Sequence, residues 1–172
     1  RIYICPPNYD LIIEKDAFKL ITPNENAYST PSIDKFFISL AKNKEDKAIG
    51  IILSGAGSDG SKGIEAIKNA GGITIAQEES TAIHPEMPKS AINTKHIDLI
   101  LPAVNIASEL RAILKHSFVL DIEEDYSNQL NKIYSILFDK TNTDFSDYKT
   151  STIQRRIKRR MILNKKNKLS DY

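Results

Sequence analysis

The stretch Ala48–Gln77, AIGIILSGAGSDGSKGIEAIKNAGGITIAQ, constrains the fold of this chain more than any other. Its apolar run Ala48–Leu53 is short and rich in Ile, breaks at Gly55, and passes into a helical pattern carried by Ile64, Ile67 and Ala70. Gly71-Gly72 ends that pattern before a second apolar run, Ile73–Ala76. The spacing predicts strand, glycine turn, helix, C-cap and strand. A crossover of this kind within one sheet is parallel and right-handed, and near-continuous Ile/Ala strands suit a sheet covered on both faces. The turn Ser54–Gly60 then falls at the carboxyl end of a strand, where open α/β sheets place their chemistry.

The remaining chain organises around that unit. Ile2–Cys5 reads as a short strand stopped by Pro6-Pro7, and Leu11–Ile13 with Phe18–Ile21 as a hairpin outside the parallel sheet. Thr22–Pro31 is a polar loop, and Ser32–Ala41, with Ile33, Phe36, Phe37 and Leu40 at helical spacing, is an amphipathic helix. After a loop over Gln77–Met87, a short helix is expected at Lys89–Thr94, a strand at Asp98–Leu101 and a helix at Ala103–Lys115. This alternation is that of an α/β, doubly wound, mostly parallel sheet.

Beyond it the pattern changes. The acidic stretch Ser117–Asp125 reads as a linker, followed by two helices at Tyr126–Phe138 and Tyr148–Asn164, with Asn142, Asp144 and Ser146 as turn and cap residues between them. Leu169–Tyr172 reads as the start of another helix, and the last two helices are too small a piece to be stable alone. Residues 141–172 carry nine Lys/Arg against three Asp/Glu, whereas residues 1–140 carry fifteen against nineteen. That sign change implies two modules with different partners. No window has the roughly 20 apolar residues of a membrane span. The single cysteine, Cys5, excludes an internal disulfide and a Cys-based zinc site, reads as a small apolar filler, and fits a cytoplasmic protein.

The central turn admits three readings. Gly55-Ala56-Gly57-Ser58-Asp59-Gly60 matches G-x-G-x-x-G between a strand and a helix, and Glu78 follows at the end of the next strand, as in a dinucleotide site. Against that, Asp59 would put a carboxylate into the phosphate cradle. In the second reading the glycines permit a tight turn, and Asp59 caps its own helix through the amide of Lys62 or a neighbour. In the third, Asp59 holds a histidine in the correct tautomer, as in a Ser-His-Asp triad.

The segments IYICPPNYDLII, STPSIDKFFISLA, AIGIILSGAGSDGSKGI and ITIAQEESTAIHPEMPKSAI, in this order over residues 2–114, resemble the C-terminal portion of the catalytic domain of chemotaxis receptor methylesterases of the CheB type. The resemblance implies a doubly wound α/β sheet and hydrolysis of glutamate γ-methyl esters on bacterial receptors. It makes Asp59 the triad aspartate, with Gly55, Ala56, Gly57, Ser58 and Gly60 forming the substrate-binding turn around it. The family commonly has Met where this chain has Ala56. Its nucleophilic serine and triad histidine lie in segments preceding this sequence, while His84, His96 and His116 fall outside the triad motif and are expected at the surface.

In the basic tail, Ile153, Ile157 and Met161 recur every four residues, which spreads Arg155, Arg156, Lys158, Arg159 and Arg160 over the rest of one helix. Such a helix suits an acidic partner helix, a nucleic acid or an anionic membrane. The run DFSDYKTSTIQRRIKRRM resembles the start of the chemotaxis receptor methyltransferases of the CheR type, over residues 126–172. This resemblance implies that Arg155, Arg156, Arg159 and Arg160 contact methyl-accepting receptors, with no nucleic acid and no membrane insertion. It also implies S-adenosylmethionine for a methyl-donor domain beyond this sequence, and no cofactor or metal within it.

Together these readings predict residues 1–116 as the later part of a methylesterase domain, 117–125 as linker and 126–172 as the first helices of a methyltransferase. They describe a piece of a bifunctional protein, inactive by itself, with an apolar sheet edge that invites domain swapping. The alternative is a non-catalytic binding module working through the basic helix 149–164.

Overall fold

The computed structural model describes residues 1–23, 32–119, 126–145, 149–166 and 168–169, and for 116–119 and 126–129 the backbone alone. Most of the expected loop over 22–31, residues 120–125 of the linker, Ser146, the side chain of His116 and the helix start beyond Leu169 lie outside the described residues. Backbone contacts divide the chain into two compact units, Arg1–Ile106 and Ala107–Tyr172.

In the first unit, β1 (Asp10–Glu14) and β2 (Ala17–Ile21) form an antiparallel hairpin with Leu11 opposite Leu20 and Ile13 opposite Phe18. As expected, the hairpin is a sheet of its own. A second sheet has the order β3-β4-β5, from β3 (Ile49–Ile52), β4 (Ile73–Gln77) and β5 (Leu99–Leu101), all parallel. Helix α1 (Ile33–Lys44) precedes β3, α2 (Ser61–Asn69) makes the crossover from β3 to β4, and α3 (Glu86–Asn93) leads towards β5. The fold is thus mixed α/β with a parallel three-stranded sheet. Every residue of β4 is buried, as suits the central strand of a sheet covered on both faces.

The core is formed by Phe37 and Ala41 of α1, Ile52 of β3, Ile64 and Ile67 of α2, and Ala91 of α3. It includes two of the three apolar positions that define the helical period of the crossover. A buried polar cluster locks the far end of α2: Asp98 accepts hydrogen bonds from the Thr74 backbone N (3.0 Å), Thr74 Oγ1 (3.0 Å) and Lys68 Nζ. Unpaired, that carboxylate would be costly to bury, so the cluster ties α2 to the starts of β4 and β5.

The expected strand at Ile2–Cys5 does not form. Residues 1–6 have no regular structure, and Ile2 and Ile4 are almost fully exposed. Apolar β-formers become a strand only when a neighbour accepts their backbone hydrogen bonds, and no segment among the described residues does so. β3 has a single neighbour and so forms one edge of the parallel sheet.

In the second unit, the later part of α4 (Ala103–Val119) joins α5 (Tyr126–Thr141) and α6 (Thr150–Leu163). The helix α4 runs four residues past the expected end at Lys115. Ile113, Leu130, Ile153, Ile157, Met161, Ile162 and Leu169 supply its buried apolar side chains. Asn142, at φ 52°, ends α5 with its N–H donating to Phe138 O (2.8 Å), the cap role expected of it.

Candidate active site

The turn Ser54–Gly60 follows the carboxyl end of β3 and is fixed from both sides. At its start, the Ser54 N–H donates to Gln77 Oε1 (2.9 Å), and Gln77 Nε2 donates to Thr81 O (2.9 Å). Gln77 is buried at the end of β4, so its amide spends its capacity on these backbone groups. The loop before α3 is zipped to the same place: His84 N–H donates to Ser54 Oγ (2.9 Å), Gly55 N–H to His84 O (2.9 Å), and Met87 N–H to Gly55 O (3.0 Å). A side chain at position 55 would meet Met87 Sδ at 2.4 Å, so the Met87 side chain would have to shift to admit one.

At the end of the turn, Asp59 is half-buried and accepts three backbone hydrogen bonds. Ile33 N–H reaches Oδ2 (2.7 Å), while Asp34 N–H (3.0 Å) and Gly60 N–H (2.9 Å) reach Oδ1. The expectation that Asp59 caps its own helix through Lys62 is therefore corrected. Its carboxylate caps α1, whose N-terminus lies 25–26 residues earlier in the chain. In return Asp34, in the first turn of α1, accepts the Gly63 N–H of α2 (2.8 Å). Two helix N-termini are thus capped by carboxylates from each other's elements, and each carboxylate sits at the positive end of a helix. Gly60 makes this junction tight: its φ is +93°, and a Cβ there would stand 2.5 Å from Ile52 Cδ1 and 2.9 Å from Ile33 Cγ2.

A third carboxylate completes the seat of α1. Asp10, fully buried at the start of β1, accepts Ser32 N–H (2.8 Å) and Lys35 Nζ, while Ser32 Oγ accepts Lys35 N–H (3.3 Å). Burial pushes the Asp10 carboxyl up, but the hydrogen bonds from Lys35 and Ser32 and the Lys35 charge outweigh it and hold the group below its usual range. Beside this helix end lies an apolar cavity of about 460 Å³ lined by Tyr3, Cys5, Phe18, Phe36 and Ile51 among others. Cys5 is half-buried, and its thiol faces the carbonyls of Pro6 and Tyr9.

Of the sequence-predicted residues, Gly55, Ala56, Gly57, Ser58, Asp59 and Gly60 therefore form one turn at a strand end, with Ala56, Gly57 and Ser58 exposed. Ser90 Oγ donates to Gly57 O at 3.4 Å. His84 is exposed, as expected; His96 is instead half-buried, with an inaccessible Nδ1. Asp34 and Gln77 were not singled out in the sequence. The run Ser32-Ile33-Asp34 has helix-start chemistry, but that its acid serves the next helix is not visible locally. No group of three or more His, Cys, Asp and Glu among the described residues is arranged to hold a metal ion. On α6, Arg156 and Arg160 are exposed and Arg155 and Arg159 half-buried, and Arg155, Arg159 and Arg160 are each engaged with a partner.

Comparison with known proteins now decides the family. The model of the CheB methylesterase domain matches residues 1–110, more than half of the sequence. The chain belongs to the CheB methylesterase family. The model of the all-alpha domain of CheR methyltransferases matches residues 128–172. A Leptospira interrogans relative named for protein-glutamate methylesterase and protein-glutamine glutaminase is 43% identical over 107 residues, covering 62% of this chain and 55% of the relative. An uncharacterized 104.1 kDa protein of Rhodobacter capsulatus is 30% identical over 197 residues, spanning 99% of this chain and 21% of that protein, so both matched regions occur there in one polypeptide. The crystal structure of the Thermotoga maritima CheB methylesterase catalytic domain superposes with a TM-score of 0.55 at 31% identity, covering 60% of this chain and 56% of that one. The chain spans about half the length of the first curated relatives it matches. No helix among the described residues is long and apolar enough to cross a membrane.

Proposed function

We propose that this chain is part of a bifunctional protein that removes and adds methyl groups on glutamates of chemotaxis receptors, and that Asp59 is the acid of its esterase triad. The observation that carries this reading is the Asp59 carboxylate, set at the end of a parallel strand within the family's G-x-G-x-D-G turn and held by three backbone N–H groups. A carboxylate immobilised in this way can accept the Nδ1–H of a histidine, select its tautomer and stabilise the imidazolium formed during catalysis. The serine and the histidine come from a segment outside these residues.

In the reaction, serine Oγ attacks the carbonyl carbon of the γ-ester while the histidine takes its proton. The histidine returns that proton to the departing methoxide, releasing methanol, and water then cleaves the acyl-enzyme to glutamate. The glutaminase activity in the relatives' names follows the same course, with ammonia leaving in place of methanol. The exposed Arg156 and Arg160, one helical turn apart on α6, suit an acidic receptor helix, and Arg155 and Arg159 border them. S-adenosylmethionine belongs to a methyl-donor domain outside these residues.

Methanol release from methylated receptor membranes tests the reading. The full-length natural protein should be active, Asp59→Ala should abolish activity, and the 172-residue chain alone should have none. Turnover by that chain alone, or an active Asp59→Ala protein, would overturn it. A second reading, a partner-binding module without catalysis, draws on the exposed arginines of α6. Loss of receptor-peptide binding on substituting Arg155 and Arg159, with no esterase activity in the full-length protein, would favour it.

A further inference from the structure

We infer that Asp34 is a positioning residue for Asp59; the inference rests on the triad reading given above. Asp34 belongs to both sides of the junction. Its backbone N–H donates to Asp59 Oδ1 (3.0 Å), and its own carboxylate accepts the Gly63 N–H of α2 (2.8 Å). These bonds close a ring that runs from Asp59 to the first turn of α1, through the Asp34 side chain to Gly63, and back along α2 to Gly60 and Asp59. Two of the three donors that aim the Asp59 carboxylate, Ile33 N–H and Asp34 N–H, are on α1, so their aim is only as good as the seating of α1 against α2. The other polar ties at the α1 N-terminus, from Ser32 and Lys35 to Asp10, lead to β1 and leave the turn alone. Together with the Asp59 carboxylate, the Asp34 side chain links the helix that holds Asp59 to the helix that Asp59 opens.

A residue acting this way should change the rate of the chemical step more than substrate affinity, because a displaced carboxylate misorients the histidine without touching the receptor. The full-length natural protein, assayed for methanol release together with its thermal midpoint, gives the test. Asp34→Ala should lower kcat about tenfold or more with KM within about twofold. Asp34→Asn keeps an acceptor oxygen for Gly63 N–H and should return kcat to within about threefold of wild type. Asn43→Ala removes the side-chain bonds to Ile13 O and Ser39 O at the far end of the same helix, leaves the Asp59 donors in place, and should reduce stability while leaving kcat in place.

Unchanged kcat in Asp34→Ala overturns the inference. So does an equal loss of kcat in Asp34→Asn, or a loss in Asn43→Ala that matches it at equal destabilisation. If Asp34→Ala fails to fold, the Asp34→Asn and Asn43→Ala pair still decides, because an Asn variant as slow as the Asp59→Ala variant contradicts the role assigned to the acceptor. An inactive wild-type protein overturns the triad reading itself, which separates that failure from failure of the Asp34 role.

Discussion

The Asp59 turn and the α6 helix are both built around charged side chains, yet they are made in opposite ways. At the turn, two of the three donors that fix the carboxylate lie 25–26 residues away in sequence, and the loop is tied further to Gln77, His84 and Met87. On α6, the helical period spreads the basic residues around a buried seam of Ile153, Ile157 and Met161, and leaves Arg156 and Arg160 exposed. Orienting a catalytic partner needs one atom in one place, so the turn depends on long-range contacts. Recognising an acidic helix needs only charge density on a face, so local sequence suffices. The turn should therefore fail sharply when altered, and the helix gradually.

The largest effect should come from Asp59→Asn in the full-length protein. The amide keeps the size of the side chain but loses the charge that stabilises the imidazolium, so kcat in methanol release should fall about 10³–10⁴-fold. Next is Gly60→Ala. A left-handed φ and a Cβ pressed between Ile52 and Ile33 should destabilise the first unit by about 2–4 kcal/mol in urea unfolding, whereas Gln154→Ala on the exposed side of α6 should stay within about 0.5 kcal/mol. If both proved equally mild, the contrast between the regions would be lost.

A smaller change is expected from Arg156→Glu with Arg160→Glu. Receptor-peptide affinity should weaken about tenfold at low salt, and by less as salt screens the field. The smallest effect concerns pH. The carboxyl of Asp10 is held below its ordinary value in the folded state, so its contribution to stability is full above the ordinary carboxylate range and is lost as pH falls through the depressed value. Asp10→Asn should flatten the acid side of the stability profile, measured by urea midpoints from neutral pH down to about pH 3, and lower stability at pH 7.

Much of this was legible in sequence because it is local. The period of Ile64 and Ile67, the Gly71-Gly72 stop and the Ile-rich runs specify the crossover, and the hairpin follows from two apolar runs around Glu14–Ala17. What could not be read locally depends on partners distant in the chain. Asp59 beside its own helix looks like that helix's cap, and only the folded chain brings the α1 amides nearer. Asp34 looks like an ordinary first-turn acid, although its acceptor serves α2. Ile2–Cys5 has strand chemistry, but pairing is a property of two segments, and no described segment pairs with it.

The central claim, that Asp59 is the orienting acid of a triad, is tested most directly by the crystal structure of the full-length natural protein. The account predicts a histidine ring nitrogen within about 2.6–3.2 Å of the Asp59 carboxylate, a serine hydroxyl at the far nitrogen of that ring, and the bonds from Ile33, Asp34 and Gly60 still in place. An Asp59 carboxylate that meets only those three amides, with no histidine in reach, would contradict it and leave the residue as the cap of α1.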